Sequence, residues 1–288
     1  MNRLVLLASL VACGGGHPGT PTDAGTDAGT DDGTNASGDA SASASRCASD
    51  ATSITCPSEA VTIGGRTITY EVPAGAPPAA GWPAVVYYQG SFVPGSQAFS
   101  AKLTDAFGAY QLTRTVQALL DRGYAVIAPN ALGNGGQFWQ TNVPPYSSAW
   151  AGSDDDVFIN ALLPALADGT FGTLDPDRHY AMGISSGGYM TSRMAVSYAG
   201  KFRALVIASA SYATCSQLCS LPALPTDHPP TLFLHGNADA VVPIGTMTLY
   251  RDRLISDGRV AMSIVNPTAG HEWLSEAVAA IPDWFDTH

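Results

Sequence analysis

The chain is short of charge. Only 13% of its 288 residues are Asp, Glu, Lys or Arg, and 13 Lys and Arg face 24 Asp and Glu, for a net charge of −11. An acidic body with so few cations excludes nucleic acid and anionic membrane surfaces as partners. No apolar run approaches the roughly 20 residues that a membrane-spanning helix needs. Metal and nucleotide motifs are missing too. There is no C-x-x-C pair, and no histidine stands at ligand spacing beside the cysteines. His271-Glu272 has Ser275 where the second histidine of H-E-x-x-H would stand. No G-x-x-x-x-G-K-[ST] occurs, and Gly133-Asn-Gly-Gly136 lacks the strand-to-helix setting of a dinucleotide loop. No metal and no cofactor is expected.

What is present is apolar surface, 45% of residues, ample for a sizeable core. The five cysteines divide by context. Cys13 closes Met1-Asn-Arg-Leu-Val-Leu-Leu-Ala-Ser-Leu-Val-Ala-Cys13, a basic start followed by an apolar run. That reads as an export signal. Leu10-Val-Ala-Cys13 resembles the lipobox of bacterial lipoproteins, which implies cleavage before Cys13 and lipid on its thiol. Gly14 after the cysteine resembles the signal for passage to an outer membrane. The other four cysteines are even in number, which fits disulfides in an oxidising compartment. Cys47 with Cys56 and Cys215 with Cys219 are the expected pairs among three possible connectivities.

Three regions follow. Residues 1–13 are the signal. Residues 14–46, rich in Gly, Thr, Asp, Ala and Ser, cannot bury enough to offset their ordering entropy and read as a disordered tether. Its root-mean-square span would be roughly 30 Å. Residues 47–288 form one catalytic domain, without internal repeats and expected to act as a monomer. The chain would be lipid-anchored at the outer membrane or cell surface, or secreted, touching membrane only through the anchor.

The domain is organised around Tyr180-Ala-Met-Gly-Ile-Ser-Ser-Gly-Gly-Tyr189, which holds Gly183-Ile-Ser185-Ser186-Gly187, a match to G-x-S-x-G. A short apolar segment precedes it and a helical pattern follows. Strand, sharp turn and helix are the setting of a nucleophile elbow. The positions two before and two after the serine must be small, which selects Ser185, flanked by Gly183 and Gly187, over Ser186.

Around it the chain alternates. Ala60–Val72 reads as a hairpin about Gly64-Gly65. Continuous apolar runs at 84–88, 124–128, 204–208 and 231–235 suit buried parallel strands, with 260–265 as the last strand. Helical spacing covers 111–121, 244–256 and a stretch from about Ser275. Ser153-Asp-Asp-Asp156 caps a helix to about Ala167, with the aspartates on a solvated face. An antiparallel start followed by six strand–helix units gives an α/β architecture, in the order of the α/β-hydrolase fold: a mostly parallel sheet with helices on both faces.

A serine needs a base, and the base needs an acid to orient it. In this fold the order is serine, acid, histidine. Asp239, in the turn after the strand ending at His235, and His271, after the last strand, satisfy that order from loops at carboxyl strand ends. His235 precedes Asp239 and reads as structural. The oxyanion hole needs two backbone N–H groups. Ser186 supplies one and Ser91, in Gln89-Gly90-Ser91-Phe92, the other, with Phe92 as the alternative. Gln89, Phe138, Trp139, Trp150 and Trp273 are candidates for substrate contact. Packing under the long 129–152 loop is the competing reading of its aromatics.

Gly-Ile-Ser-Ser-Gly-Gly-Tyr-Met at 183–190, Ser-Asp-Asp-Asp-Val-Phe at 153–158, His-Gly-Asn-Ala-Asp at 235–239 and Gly-His-Glu-Trp at 270–273 together resemble the polyhydroxybutyrate depolymerase and feruloyl or acetylxylan esterase group of the α/β-hydrolases. The resemblance covers about Ala60 to Phe285. It implies a serine esterase acting on polyesters or on ester substituents of polysaccharides. Gln89-Gly90 departs from the histidine-glycine pair that members often carry in the oxyanion loop. A serine peptidase of the same fold and a non-catalytic polymer-binding lipoprotein are the competing readings. An activated serine separates the last of these from the enzymes.

Overall fold

The computed structural model describes residues 45–132, 138–215 and 221–288. Cys13, the expected signal and almost all of the expected tether lie outside the described residues, as do Cys219 and the 133–136 glycines. The described residues fall within one unit, Ala42–His288.

Eleven strands and five α-helices are described. The strands are β1 (Ala48–Ser49), β2 (Ser53–Thr55), β3 (Glu59–Ile63), β4 (Arg66–Glu71), β5 (Trp82–Tyr88), β6 (Ser100–Lys102), β7 (Ala125–Pro129), β8 (Leu174–Ile184), β9 (Leu205–Ala208), β10 (Thr231–Gly236) and β11 (Ala261–Asn266). The helices are α1 (Ala109–Asp121), α2 (Asp154–Ala165), α3 (Ser186–Ser197), α4 (Ile244–Ser256) and α5 (Ala277–Thr287).

The main sheet has eight strands in the order β11-β10-β9-β8-β5-β7-β4-β3. Pairings from β11 through β7 are parallel, whereas β3 and β4 are antiparallel to each other and β4 to β7. This is the α/β-hydrolase sheet, with the expected hairpin at its edge. In β5, Val85 and Tyr87 face one side, against Leu112, Val116 and Leu119 of α1 and Ile281, Trp284 and Phe285 of α5. Ala84, Val86 and Tyr88 face the other, against α2 and the Met190 and Met194 side of α3. Both faces being covered explains the unbroken apolar run. Each such fully buried large side chain contributes about 1.5–3 kcal/mol.

Two features depart from the sequence expectation. The strands β1, β2 and β6 form a separate three-stranded antiparallel sheet. Strands of two or three residues carry no readable alternation. The long-range pairing of β2 with β6 completes this sheet, and local contacts close its β1-β2 hairpin. Cys47 and Cys56 are joined by a disulfide, and the Asp50 carboxylate accepts from the Thr52 and Ser53 amides at 2.7 and 2.8 Å.

The second departure is Asp155, expected on a solvated face. It is fully buried and paired with Arg66 of β4 at 2.6 Å, and it also accepts from the Gln140 amide at 2.6 Å. Burial pushes its carboxyl above the ordinary value, against the pull of Arg66. Arg66 stacks over Phe158 and Trp139. Asp155 therefore anchors the segment that carries Phe138 and Trp139. Ser153 does cap α2, its hydroxyl accepting from the Asp156 amide at 3.2 Å.

Candidate active site

The β8 strand ends at Ile184, and α3 begins at Ser186. Ser185 between them has φ 56° and ψ −123°, a conformation L-residues seldom hold. Neighbouring strands fix it there. Its amide donates to the Ala208 carbonyl at the end of β9 at 3.0 Å, and its own carbonyl accepts from the Tyr189 amide at 3.0 Å. A Cβ on Gly187 would overlap the carbonyl oxygens of Tyr88 and Gln89, and one on Gly183 would overlap Gly187. The glycine spacing is therefore a packing requirement of the turn. A side chain at Gly90 would meet Ile184 at 3.4 Å and Ser185 Cβ at 3.8 Å, so glycine keeps the space beside the serine clear.

The acid and base come from loops that leave adjacent strands, β10 and β11. Asn237 donates to the Asn266 carbonyl at 2.8 Å and Ala238 to that of Ala269 at 2.9 Å, which zips the two loops together. Gly236 permits this, since a Cβ there would overlap the carbonyl oxygens of Ala269 and Gly270. The result is His271 Nδ1 at 2.8 Å from Asp239 Oδ2. A carboxylate only accepts, so Nδ1 carries the proton, and in the neutral ring this tautomer leaves the lone pair on Nε2. Asp239 Oδ1 accepts from the Val241 and Val242 amides at 2.9 and 2.8 Å. Burial alone would raise the Asp239 pKa, but the Val242 amide and His271 outweigh it and hold the carboxyl below its ordinary value.

His235, read from the sequence as structural, is fully buried, and its Nε2 lies 2.9 Å from the Val242 carbonyl. It also lies 3.5 Å from Asp239 Oδ2. Burial lowers its pKa, so it stands neutral beside the carboxylate.

Two cavities meet at Ser185. One, of about 390 Å³, is lined by Tyr87, Leu112, Phe107, Ile184, His271 and Trp273 among others. The second, of about 660 Å³, is lined by Phe138, Trp139, Asn142, Pro144, Ser186 and Tyr189 among others. Ser91, Ser185 and Val241 border both. The sequence candidates therefore separate. Phe138, Trp139 and Trp273 line a cavity, while Gln89 and Trp150 line neither. Gln89 is fully buried, with Oε1 accepting from the Ala131 amide at 3.4 Å, and so joins the chain ends leaving β5 and β7. Trp150 donates to the Tyr198 hydroxyl at 3.2 Å and packs under Arg193. Trp150 is a packing residue, its one polar atom spent on an internal partner, whereas Gln89 is buried away from both cavities with its Nε2 unpartnered among the described residues. Ser91 lies in the turn that leaves β5 and Ser186 in the first turn of α3. Cys215 is disulfide-bonded.

Phe92, Phe107, Leu112 and Val241 were not legible as cavity residues. Phe107 reaches the site only because the Ala106–Gly108 turn folds against the loop after His271, with its carbonyl accepting from the Trp273 amide at 2.9 Å.

A family model, the prolyl oligopeptidase family, matches residues 110–221. Among solved structures, esterase PE8 superposes with a TM-score of 0.52 at 19% identity, covering 75% of this chain and 99% of that one. The Bacillus cereus carboxylesterase superposes with a TM-score of 0.53 at 13% identity, covering 77% and 94%. At such identities these establish the fold. The poly(3-hydroxyoctanoate) depolymerase of Pseudomonas fluorescens is 52% identical over 228 residues, 78% of this chain and 81% of that protein. On that similarity the chain belongs to the same family as the Pseudomonas depolymerase, a family of ester hydrolases on the α/β-hydrolase fold.

Proposed function

We propose that the chain hydrolyses the ester bonds of a polyester of medium-chain 3-hydroxy acids through an acyl-enzyme on Ser185. The observation that carries this is His271, held by Asp239 and lining one cavity with a serine at a strained strand-to-helix turn. Ser185 Oγ attacks the ester carbonyl as His271 Nε2 takes its proton. Negative charge on the carbonyl oxygen is stabilised by the amides of Ser186, at the positive end of α3, and Ser91. Collapse breaks the bond to the alkoxy oxygen, which leaves with the proton from His271. Water, deprotonated by His271, then attacks the acyl-enzyme and frees the hydroxy acid. Asp239 stays charged and holds His271 in the tautomer whose Nε2 can accept.

The relative's substrate, poly(3-hydroxyoctanoate), carries a pentyl branch on every unit. The smaller cavity, walled by Tyr87, Leu112, Ile184 and Trp273, suits such a branch. The wider one, bordered by Phe138 and Trp139, suits the rest of the polymer chain. The sequence further supports an exported protein, lipidated at Cys13 and carried on a tether of residues 14–46, with Cys215 and Cys219 as its second disulfide.

The match to the prolyl oligopeptidase model favours a peptidase as the second reading. Turnover of p-nitrophenyl octanoate, a poly(3-hydroxyoctanoate) film, polyhydroxybutyrate, a feruloyl ester and a peptide amide separates the two. Release of 3-hydroxyoctanoate from the film, lost in Ser185→Ala, is the expected result. Preferred cleavage of the amide, or film turnover persisting in Ser185→Ala, would overturn the proposal.

A further inference from the structure

Two phenylalanines stand at the mouth of the smaller cavity in conformations that no packing requirement of their own side chains explains. Phe92 has φ 69° and is 76% exposed; Phe107 has φ 59° and is 62% exposed. A bulky residue with positive φ is uncommon, and a large exposed phenyl is out of place in water. Here both occur twice, at residues that line one cavity. Val241, 65% exposed, completes the rim.

The backbone that carries Phe107 is tied to the loop after His271. The Phe107 carbonyl accepts from the Trp273 amide at 2.9 Å. Next to it Gly108, at φ 70°, lies so close to the Trp273 backbone that a Cβ there would overlap it. The Phe107 ring stands edge-on to His271, with centroids 6.4 Å apart. Phe92 follows Ser91 in the turn that leaves β5. Both rings are carried by segments that line the same cavity as Ser185 and His271.

We propose that Phe92, Phe107 and Val241 form a docking rim that seats the enzyme on the surface of a water-insoluble, uncharged polyester and passes the chain into the cavity beneath. This rests on the reading of the site as a polyester hydrolase. The occupant follows from two observations. The rim is continuous with the cavity that holds Ser185 and His271, so the bound surface and the cleaved ester belong to one molecule. Among the described residues no Asp, Glu, Lys or Arg lines that cavity, so none of them offers a charged partner an ion pair there, and the net charge of −11 repels anionic lipid.

The test measures adsorption without turnover. Ser185→Ala protein is mixed with a poly(3-hydroxyoctanoate) latex, and the protein left in solution is assayed. The same is done for Ser185→Ala carrying Phe92→Asn and Phe107→Asn. Asparagine accepts positive φ better than most residues, so the fold is kept, as circular dichroism and melting will check. Val241→Thr, which preserves shape, is a second rim variant should the double change fail to fold. Val157→Asn, on the exposed side of α2, is the control.

The adsorption constant should fall by at least about tenfold in the double variant, given the apolar area each phenyl offers. It should fall a few-fold in Val241→Thr and stay unchanged in Val157→Asn. Equal adsorption by the double variant and its parent would overturn the proposal. So would an equal loss in Val157→Asn, tighter binding to phosphatidylcholine vesicles than to the latex, or a double variant that abolishes only self-association of the chain. Soluble-ester turnover by the wild-type protein is measured in parallel. Its absence would count against the catalytic reading, while the adsorption comparison still decides the rim.

Discussion

Replacing Asp239 with Asn tests the base–acid pair most sharply. Oδ1 accepts from two backbone amides, Val241 at 2.9 Å and Val242 at 2.8 Å, so the asparagine oxygen must remain on that side. Turning the amide round would set its NH2 against two donors, leaving buried groups unsatisfied at about 1–3 kcal/mol each. The NH2 therefore takes the place of Oδ2 and faces His271 Nδ1, which must now accept. The imidazole proton moves to Nε2, and the lone pair that would take the Ser185 proton is gone. His235 Nε2–H, 3.5 Å from the same position, also meets a donor instead of an acceptor. A tautomer error of this kind costs about 10⁴-fold in kcat, equivalent to about 5.5 kcal/mol of barrier.

Steady-state kinetics on p-nitrophenyl octanoate should show that loss in kcat with KM changed by no more than about threefold. A kcat within tenfold of wild type would refute the assignment of Asp239. A pH signature accompanies it. The folded Asp239 carboxyl ionises below its unfolded value of roughly 3.9, so its stabilisation is present above that pH and is lost as pH falls through the folded value. The melting-temperature gap between wild type and Asp239→Asn should be constant near neutrality and close as the pH drops below roughly 4. A gap that widens in acid would contradict the hydrogen-bonding scheme.

Other parts of the structure make their own predictions. Gly187→Ala forces a methyl group into the Tyr88 and Gln89 carbonyls, so it should lower both melting temperature and soluble yield, with no compensating variant at position 186; a fully active, equally stable protein would contradict the turn geometry. Cys47→Ser with Cys56→Ser opens a loop with a sequence separation of 9, which costs about 2.5 kcal/mol; a scanning-calorimetry melting temperature lower by about 5–10 °C is expected. Arg66→Met strands the buried Asp155 carboxylate, a loss of about 3–5 kcal/mol. Because Asp155 also holds the Gln140 amide, protease cleavage near 138–142 should accelerate in that variant.

The sheet was legible because its strands are buried on both faces and its turns carry glycine. The 84–88 run and the hairpin survive in the structure, and Asp239 and His271, chosen by chain order, lie within hydrogen-bond distance of each other. Legibility failed where a residue's role depends on a distant partner. Asp155 looks like any first-turn aspartate until Arg66, 89 residues away, closes on it. Gln89 and the indole of Trp150 look available until burial beside Ala131 removes the first from the cavities and Tyr198 takes the polar atom of the second. Phe107 carries no pattern at all, because the backbone of Trp273 sets its direction. In the small β1-β2-β6 sheet, Cys47–Cys56 and the Asp50 turn close the β1-β2 hairpin, and β6 joins it from some 45 residues on. The pairing was foreseeable as arithmetic, but the strands it brings together were not.

The account turns on one atom, the Ser185 hydroxyl oxygen. The protein is treated with a fluorophosphonate ester, digested and mapped by mass spectrometry. The account predicts a single stoichiometric adduct on Ser185, formed in step with loss of ester turnover and slowed severely in Asp239→Asn. An adduct on Ser186 or elsewhere, or full ester turnover with Ser185 unmodified after saturating treatment, would contradict it.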